Sequence, residues 1–302
     1  MSRRAKDEQL QRSLAVSTPI NPSESDNVYF NDPESGAEMA RLIDQDHLIT
    51  KGMGGLFAER PDFSGIHRIL DVACGPGGWV QEVGFAYPEI EVVGIDISRA
   101  MIDYARAQVR VQGLDNVSFQ VMDIQKPLGF PDASFDLVNA RFINFLPAAA
   151  WPKLMRELGR ITRPGGIIRL TESEWWYFSN SSALENLNAM IIRALKMQGE
   201  SFSQSGRFTG VLPMLGHFLL EIGCVNITHV PHVIDFSAGT EAYEGFRHDA
   251  AVVFKLFQPF IVRMGVATQE KVDQLYEQMR FEMMKEDFRG LMLPLTVWGE
   301  IP

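Results

Sequence analysis

Short apolar runs alternate with amphipathic segments between residues 67 and 173. Strands that are buried on both faces appear as nearly continuous apolar runs, whereas helices repeat their apolar positions every three or four residues. Five runs fit the strand pattern: HRILDVAC (67–74), EVVGIDIS (91–98), VSFQVMD (117–123), FDLVNARF (135–142) and IIRLTES (167–173). The segments between them fit helices, and the last of these, at about 150–162, precedes a turn at 163–166. The alternation predicts an α/β fold with a doubly wound, mostly parallel sheet.

The pattern after residue 180 is less regular and predicts mainly helices. Ser182-Ala-Leu-Glu185 has the spacing of a capping box and predicts a helix start. Two apolar helical stripes follow between 241 and 286. We expect Pro259 to end the first, because proline lacks an N–H group, and Thr268 to cap the second. Three further elements are predicted: a helix at about 208–223, a strand near 225–235 and a final strand at 291–299.

The N-terminal region has a different character. Residues 1–28 are polar and predict an arm, and a helix is expected from Glu34 to about Thr50. The apolar residues of this helix share one face and are Met39, Leu42, Ile43 and Ile49. We therefore expect residues 1–60 to serve as a lid or an oligomer contact. The remaining domain, 61–302, is expected to carry cap helices at about 180–215 and 239–287.

Composition restricts the class of partner. The chain has 302 residues, with 28 Lys+Arg against 38 Asp+Glu and a formal net charge of −10. This acidity disfavours a protein whose main task is binding a phosphate backbone. Its two cysteines, Cys74 and Cys224, lack the CxxC spacing of a zinc site, and no run of 18 apolar residues occurs. The expectation is a cytoplasmic globular protein with no metal, nucleic-acid or membrane partner.

A glycine-rich loop after the first predicted strand is the strongest local motif. In Asp71-Val-Ala-Cys-Gly75-Pro-Gly77-Gly78, glycines let the backbone approach a ligand, and the following helix N-terminus offers N–H groups. Such a turn also occurs simply to pack a helix on a sheet. Asp96, at the end of the second strand, can accept both hydroxyl protons of a ribose. Because dinucleotide-binding proteins use the same acid, these features alone leave the adenosine ligand open. Val80 replaces the third glycine of the dinucleotide motif.

The next strand ends carry a more specific resemblance. ILDVACGPGG (69–78), VVGIDIS (92–98), VMDIQ (121–125), FDLVNARF (135–142) and LGRITRPGGIIRLTE (158–172) occur in the order of a known family. With these motifs the chain resembles the class I S-adenosylmethionine-dependent methyltransferases, and this resemblance implies a seven-stranded sheet with an N-terminal helical arm and an inserted helical cap. Ala73 departs from the family's first glycine and, being small, is expected to cost little. The second half resembles bacterial small-molecule enzymes, including C- and O-methyltransferases of natural-product pathways.

The resemblance implies S-adenosylmethionine as cofactor and assigns ten residues to it. They lie at or near the strand ends: Asp71, Ala73, Gly75, Gly77, Asp96, Ile97, Met101, Asp123, Ile124 and Asn139. By resemblance, Asp71 orients the loop and helps with the ligand's amino group, and Asp96 holds the ribose. Asp123 accepts the adenine amino proton, and Asn139 meets the methionine moiety. The small loop residues pass along the cofactor, and the apolar residues line the adenine.

Four residues are candidates on the acceptor side, although the sequence identifies no catalytic residue. Tyr29, in the N-terminal segment, could close over the methyl-donor end. Trp175 and Trp176 follow the fifth strand at the edge where doubly wound sheets bind ligands, but core packing is an equal alternative. His217 could serve as a base, yet a structural histidine is the simpler interpretation.

These features predict a methyltransferase that acts on carbon or oxygen of a small, largely apolar molecule. The alternatives are a methyltransferase of a peptide or other macromolecule, a nicotinamide-dependent oxidoreductase, and a non-catalytic protein that binds S-adenosylmethionine. Asp123 and the RPGG turn at 163–166 argue against a nicotinamide enzyme. The acceptor, the methylated atom and the oligomeric state are not set by the sequence, and a homo-oligomer is compatible with it.

Overall fold

A seven-stranded sheet forms the centre of the computed structural model, which describes residues 36–59, 64–174 and 177–302. Its strands are β1 (Arg68–Val72), β2 (Glu91–Asp96), β3 (Val117–Val121), β4 (Phe135–Arg141), β5 (Thr162–Glu172), β7 (Val225–Pro231) and β10 (Leu295–Glu300). They are ordered β3-β2-β1-β4-β5-β10-β7. The first five run parallel, while β10 is antiparallel to both β5 and β7. The predicted doubly wound, mostly parallel sheet is thereby confirmed, and the carboxyl ends of β1 to β5 meet at one edge.

Helices cover both faces of this sheet. Along the described residues they are α1 (Gly36–Gly52), α2 (Gly78–Ala86), α3 (Arg99–Gln112), α4 (Trp151–Ile161), α5 (Ser182–Gln198), α6 (Leu212–Glu221), α7 (Tyr243–Arg263) and α8 (Gln269–Met283). Successive strand residues face opposite sides. On β1, Ile69 belongs to the core shared with α2 and α3, and Leu70 belongs to the core shared with α4 and α6. Both side chains are fully buried, which explains the continuous apolar run in the sequence.

A second group of helices comes mostly from the later half of the chain and has its own apolar core. Helices α5, α7 and α8 share one apolar core with α1 and with a small sheet. That sheet contains β6 (Phe178–Ser179), β9 (Gly290–Met292) and β8 (Ile234–Asp235), in this order. The stripe predicted for α8 is buried, and Thr268 caps this helix as expected by accepting a hydrogen bond from Lys271 N.

Several predicted boundaries were wrong. Helix α7 continues through Pro259 to Arg263, because Phe260 and Ile261 are buried and hold the last turn in place. The helix cap is Ser181 rather than Ser182, and its side chain accepts from Leu184 N. The predicted final strand is two strands, β9 and β10, which belong to different sheets and flank Pro294.

Two further differences concern the sheet and the N-terminal helix. Residues 163–166 lie within β5 as an irregularity rather than a turn, since Phe135 pairs with Thr162 and Leu137 already pairs with Ile167. Helix α1 buries a largely polar face, namely Glu38, Arg41, Gln45, Ile49 and Thr50. Among the described residues, no helix is both long and apolar enough to cross a membrane.

Candidate functional site

A cavity of about 1320 Å³, counted with its open mouth, lies at the carboxyl edge of β1 to β4. Its walls come from the loop after β1, the ends of β2 and β3, the end of β4 with its following loop, and helices α1 and α7. Eight of the ten residues predicted to hold the cofactor line it: Asp71, Ala73, Gly75, Asp96, Ile97, Met101, Asp123 and Ile124. Fold-forming contacts thus bring residues from three strand ends to one place.

The glycine loop leaves space where a ligand would approach. Gly75 has φ +54°, and a Cβ added there would come no closer than 3.8 Å to Leu42 and Met101, so the backbone faces open cavity. Gly77 has a different role. A Cβ on Gly77 would lie 2.5 Å from the Phe119 ring, which makes this glycine a packing requirement between α2 and β3, away from the cavity lining.

Ala73 adopts a left-handed backbone conformation, with φ +55°. A side chain in this region costs roughly 1 kcal/mol, because its Cβ approaches the neighbouring carbonyl oxygen. The expectation that alanine costs little here considered only its size. Alanine is small enough for the space, but its left-handed backbone conformation carries a free-energy cost that glycine avoids.

Asp96 joins the loop to the second strand. Its Oδ2 accepts a hydrogen bond from Gly75 N and its Oδ1 accepts one from Ser98 N, both at 2.9 Å. Ser98 in turn caps α3 by accepting from Met101 N at 3.2 Å. The carboxylate is 9% exposed, on the cavity wall. Because carboxylate oxygens each accept more than one hydrogen bond, this arrangement fits a ligand with vicinal hydroxyls.

Asp123 marks the far end of the same wall. Its Oδ1 accepts from Gln125 N at 2.9 Å, and its Oδ2 is paired with Lys126 Nζ at 3.1 Å. Ile97, Met101 and Ile124 line the same cavity. Two acids at neighbouring strand ends, together with apolar side chains in the same lining, fit an adenosine group, since the ring needs apolar contact and its polar edge needs an acceptor.

Asp71 is a buried acid of this set and is 4% exposed. Asn139 Nδ2 donates to its Oδ1 at 2.7 Å, and Asn139 Oδ1 accepts from Arg169 at 2.8 Å. Burial raises the pKa of Asp71 to about 7, and Arg141 acts most strongly in the opposite direction. Asn139 itself is fully buried and does not line the cavity. The structure therefore places Asn139 against Asp71 rather than at the cavity surface where its predicted role would put it.

The other half of the cavity is lined by apolar side chains and by an arginine that were not predicted from the sequence. Its apolar lining comes from three segments, namely α1, the loop after β4, and α7: Ile49, Phe142, Phe145, Leu146, Val253 and Phe257. Arg141 also lines it, forming an ion pair with Asp46 and donating to Thr50 Oγ1 at 3.1 Å. Neither member of this pair is among the residues predicted from the sequence. Arg141 could have been noticed as a charge at the end of an apolar strand, but only the fold shows that α1 supplies its partner.

Of the four acceptor-side candidates, the structure describes one, His217. Tyr29, Trp175 and Trp176 lie outside the described residues. His217 lies on α6, where its side chain is 52% exposed and its Nε2 is 3.2 Å from a Glu221 carboxylate oxygen. His217 does not line the cavity, so the structure gives it no place as a base there. Within 36–59, 64–174 and 177–302, no group of three or more His, Cys, Asp or Glu could hold a metal ion.

Comparison with known proteins agrees with this geometry. Residues 69–166 match the family model of a methyltransferase domain. Methyltransferase GfsG of Streptomyces halstedii is 33% identical over 155 residues, which are 49% of this chain and 51% of that protein. Aklanonic acid methyltransferase DauC of a Streptomyces species is 41% identical over 90 residues, 27% of this chain and 38% of that protein. The chain thus spans about half or less of the length of these relatives.

A solved structure extends the agreement to the whole fold. Phosphoethanolamine N-methyltransferase 2 of Haemonchus contortus, in complex with phosphomonomethylethanolamine and S-adenosylhomocysteine, aligns with a TM-score of 0.54 at 16% identity. The alignment covers 91% of this chain and 61% of that one. Sheet order, the glycine loop and the matched segment agree: residues 69–166 are similar to a methyltransferase domain, and the chain has the Rossmann-like fold of this solved methyltransferase.

Proposed function

We propose that this protein transfers a methyl group from S-adenosylmethionine to carbon or oxygen of a small, largely apolar molecule. The observation that carries this proposal is one continuous cavity with two chemically distinct halves. One half, at the ends of β2 and β3, contains Asp96 and Asp123, and the other, beyond β4, contains Phe142, Phe145 and Phe257 of the loop and of α7. A relative whose name specifies aklanonic acid supports a small-molecule acceptor.

The chain's own residues fit the cofactor in three ways. Asp96 and Asp123 present carboxylates at separate points of the wall, and the backbone at Gly75 is open to the cavity. Ile97, Met101 and Ile124 offer apolar contact for a ring. When bound, S-adenosylmethionine supplies a methyl group on a positively charged sulfur. What remains for the protein is to hold the acceptor in line with that methyl group and to keep water away.

The acceptor half meets that task with aromatic and aliphatic walls. Phe142, Phe145 and Phe257 exclude water, and aromatic faces stabilise the positive charge that develops on an electron-rich carbon. An oxygen acceptor needs a base to take its proton. No histidine of the described residues lines the cavity, and the acids that line it are Asp46, Asp71, Asp96 and Asp123. An oxygen acceptor therefore needs a base at this site, whereas a carbon acceptor needs aromatic faces. Turnover of two acceptors of similar size, one methylated on carbon and one on oxygen, distinguishes the two cases.

The partner and the location are parts of the same proposal. A net charge of −10 favours a small-molecule acceptor over nucleic acid, because a phosphate backbone would be repelled. We place the activity in the cytoplasm. Peptide acceptors are tested in the same turnover assay, and a nicotinamide enzyme would show the absorbance change of its cofactor.

Calorimetric titration with S-adenosylhomocysteine tests the site. We expect Asp96→Ala to weaken binding by about 10- to 100-fold, because charge-assisted hydrogen bonds contribute roughly 1.5–3 kcal/mol. Asp123→Ala should weaken it less. The matched control is Asp103→Ala, which removes a carboxylate of α3 that is 59% exposed, does not line the cavity and is paired with Arg106. Unchanged affinity in Asp96→Ala, or equal losses in all three variants, would overturn the site assignment.

A further inference from the structure

A row of polar side chains crosses the centre of the sheet behind the cavity. In the strand register, Asp71 of β1 lies beside Asn139 of β4, and Asn139 lies beside Arg169 of β5. Residues directly beside each other in a sheet project from the same face. The side chains are joined in the same order, with Asn139 Nδ2 2.7 Å from Asp71 Oδ1 and an Arg169 guanidinium nitrogen 2.8 Å from Asn139 Oδ1.

The outer end of the row is a buried ion pair. Arg169 pairs with Glu59, and their side chains are only 3% and 1% exposed. The guanidinium also lies over the Phe57 ring, 5.8 Å from its centroid. Because a buried charge is costly without a partner, Glu59 holds Arg169 in place, and Arg169 then fixes which end of the Asn139 amide faces Asp71. The amide can only donate toward the acid.

Only the inner end of the row lines the cavity. Asp71 is its single member there, while Asn139 and Arg169 are buried behind it. The other charged groups that influence Asp71 are Arg141 at the end of β4 and Asp46 on α1, and the Asp71 carboxylate in turn contributes to raising the pKa of Cys74 on the loop. Burial raises the pKa of Asp71 to about 7, and Arg141, Asn139 and Arg169 lower it, so the charged form depends on these partners.

We propose that Arg169 is a positioning residue which, through Asn139, holds the Asp71 carboxylate charged and aimed into the cavity, where it binds the ammonium end of the cofactor's methionine moiety. This inference rests on the proposed function, since it takes S-adenosylmethionine as the ligand. It assigns a role to Glu59 and Arg169, neither of which touches the cavity.

The test is the pH dependence of S-adenosylhomocysteine binding between pH 5.5 and 8, measured by calorimetry. The main variant is the charge-neutral double change Glu59→Gln/Arg169→Met, which avoids leaving one buried charge alone. Asn139→Leu breaks the row at its centre and keeps the ion pair. The control is Arg163→Met: Arg163 also lies on β5 and is ion-paired, with Asp136 at 2.8 Å, but it is not part of the row. Circular dichroism confirms folding.

We expect wild-type affinity to rise with pH through about 7, as Asp71 ionises. A rise of one unit in its pKa lowers the ionised fraction about fivefold at pH 7 and only about twofold at pH 8. Both row variants should therefore lose affinity mainly at the acidic end, while Arg163→Met follows the wild type. A loss that is equal at all pH values, or a profile identical to that of the wild type, would refute the positioning role. If the wild type itself does not bind, the proposed function fails and the inference fails with it.

Discussion

Two residues that line the cavity adopt left-handed backbone conformations, so the site contains local backbone strain. Ala73 has φ +55° and Phe142 has φ +54°. For a bulky residue such a conformation is uncommon, and it persists only where the surroundings hold it. At Phe142, the backbone N–H donates to Thr171 O at 2.9 Å, which ties the residue to β5. The strain therefore lies immediately after the ends of β1 and β4, which are neighbouring strands of the sheet.

Replacing Ala73 by glycine should release part of this strain. We expect Ala73→Gly to raise the free energy of unfolding by about 0.5–1 kcal/mol, because the left-handed region costs glycine nothing, and this gain exceeds the added freedom of the unfolded chain. Urea denaturation measures it. Ala105→Gly, at a fully buried position inside α3, is the comparison and should destabilise. A loss of stability in both variants would show that the methyl group of Ala73 contributes packing that outweighs its strain.

Glu200 is a second unusual residue, this time outside the cavity. It is 1% exposed, and neither carboxylate oxygen has a hydrogen-bond partner in the described part of the chain. Burial raises the pKa of Glu200 from 4.5 to about 8. Between these two values the unfolded chain has lost the proton and the folded chain has kept it. Stability therefore falls as pH rises from about 4.5 to about 8.

Glu200→Met should remove this dependence, since methionine has a similar shape and no charge. The gain in unfolding free energy should be small at pH 4.5 and on the order of a few kcal/mol at pH 8, at about 1.4 kcal/mol per pKa unit. Urea denaturation at both pH values gives the difference. Glu89→Met, at an exposed position, should show no such slope. A gain that is the same at both pH values would contradict a protonated Glu200.

At the scale of elements, helix α1 is fastened to α7 by a buried polar cluster. Arg41 donates to both Glu38 oxygens, at 2.7 and 2.8 Å, and to Asp249 Oδ1 at 3.1 Å. Tyr177 and Gln45 also donate to Asp249. Because α1 and α7 both supply cavity walls, this cluster fixes the width of the cavity between them.

Arg41→Met should remove the hydrogen bonds and ion pairs that join α1 to α7 through Arg41. The change leaves Glu38 and Asp249 buried without their cation, so we expect a loss of about 3–5 kcal/mol in unfolding free energy. The control, Arg280→Met, removes a surface arginine whose side chain is 52% exposed and paired with Glu277, and its loss should stay below about 1 kcal/mol. Similar losses in the two variants would mean that the cluster contributes no more than a surface pair.

At the scale of the whole molecule, removal of residues 1–30 tests the predicted lid. The sheet lies entirely within 68–300, so the truncated chain should keep its circular dichroism spectrum. Turnover should fall sharply, because Tyr29 and its neighbours are predicted to close over the acceptor, and binding of S-adenosylhomocysteine should fall less. Full turnover in the truncated chain would show that these residues are dispensable.

The sequence predicted those parts of the molecule whose signal is local. Strands such as β1 and β4 are buried on both faces, Asp96 ends β2 and Asp123 lies two residues after β3, so pattern and motif sufficed. The row of Asp71, Asn139 and Arg169 depends on which strands are neighbours, and local pattern does not contain this. The polar face of α1 was missed for a similar reason: Glu38 and Arg41 resemble a solvated surface until Asp249 is placed beside them. Likewise, Pro259 signals a helix end unless tertiary packing overrides it.

The fastening between Arg41 and Asp249 joins residues 208 positions apart. A ribosome adds about 5–20 residues per second, so Asp249 is made roughly 10–40 s after Arg41. All of the strands that carry the glycine loop and the acids Asp96 and Asp123 are made within this interval. During synthesis, then, the ligand-facing edge of the sheet exists before its second wall does, and the cavity is completed only when α7 arrives.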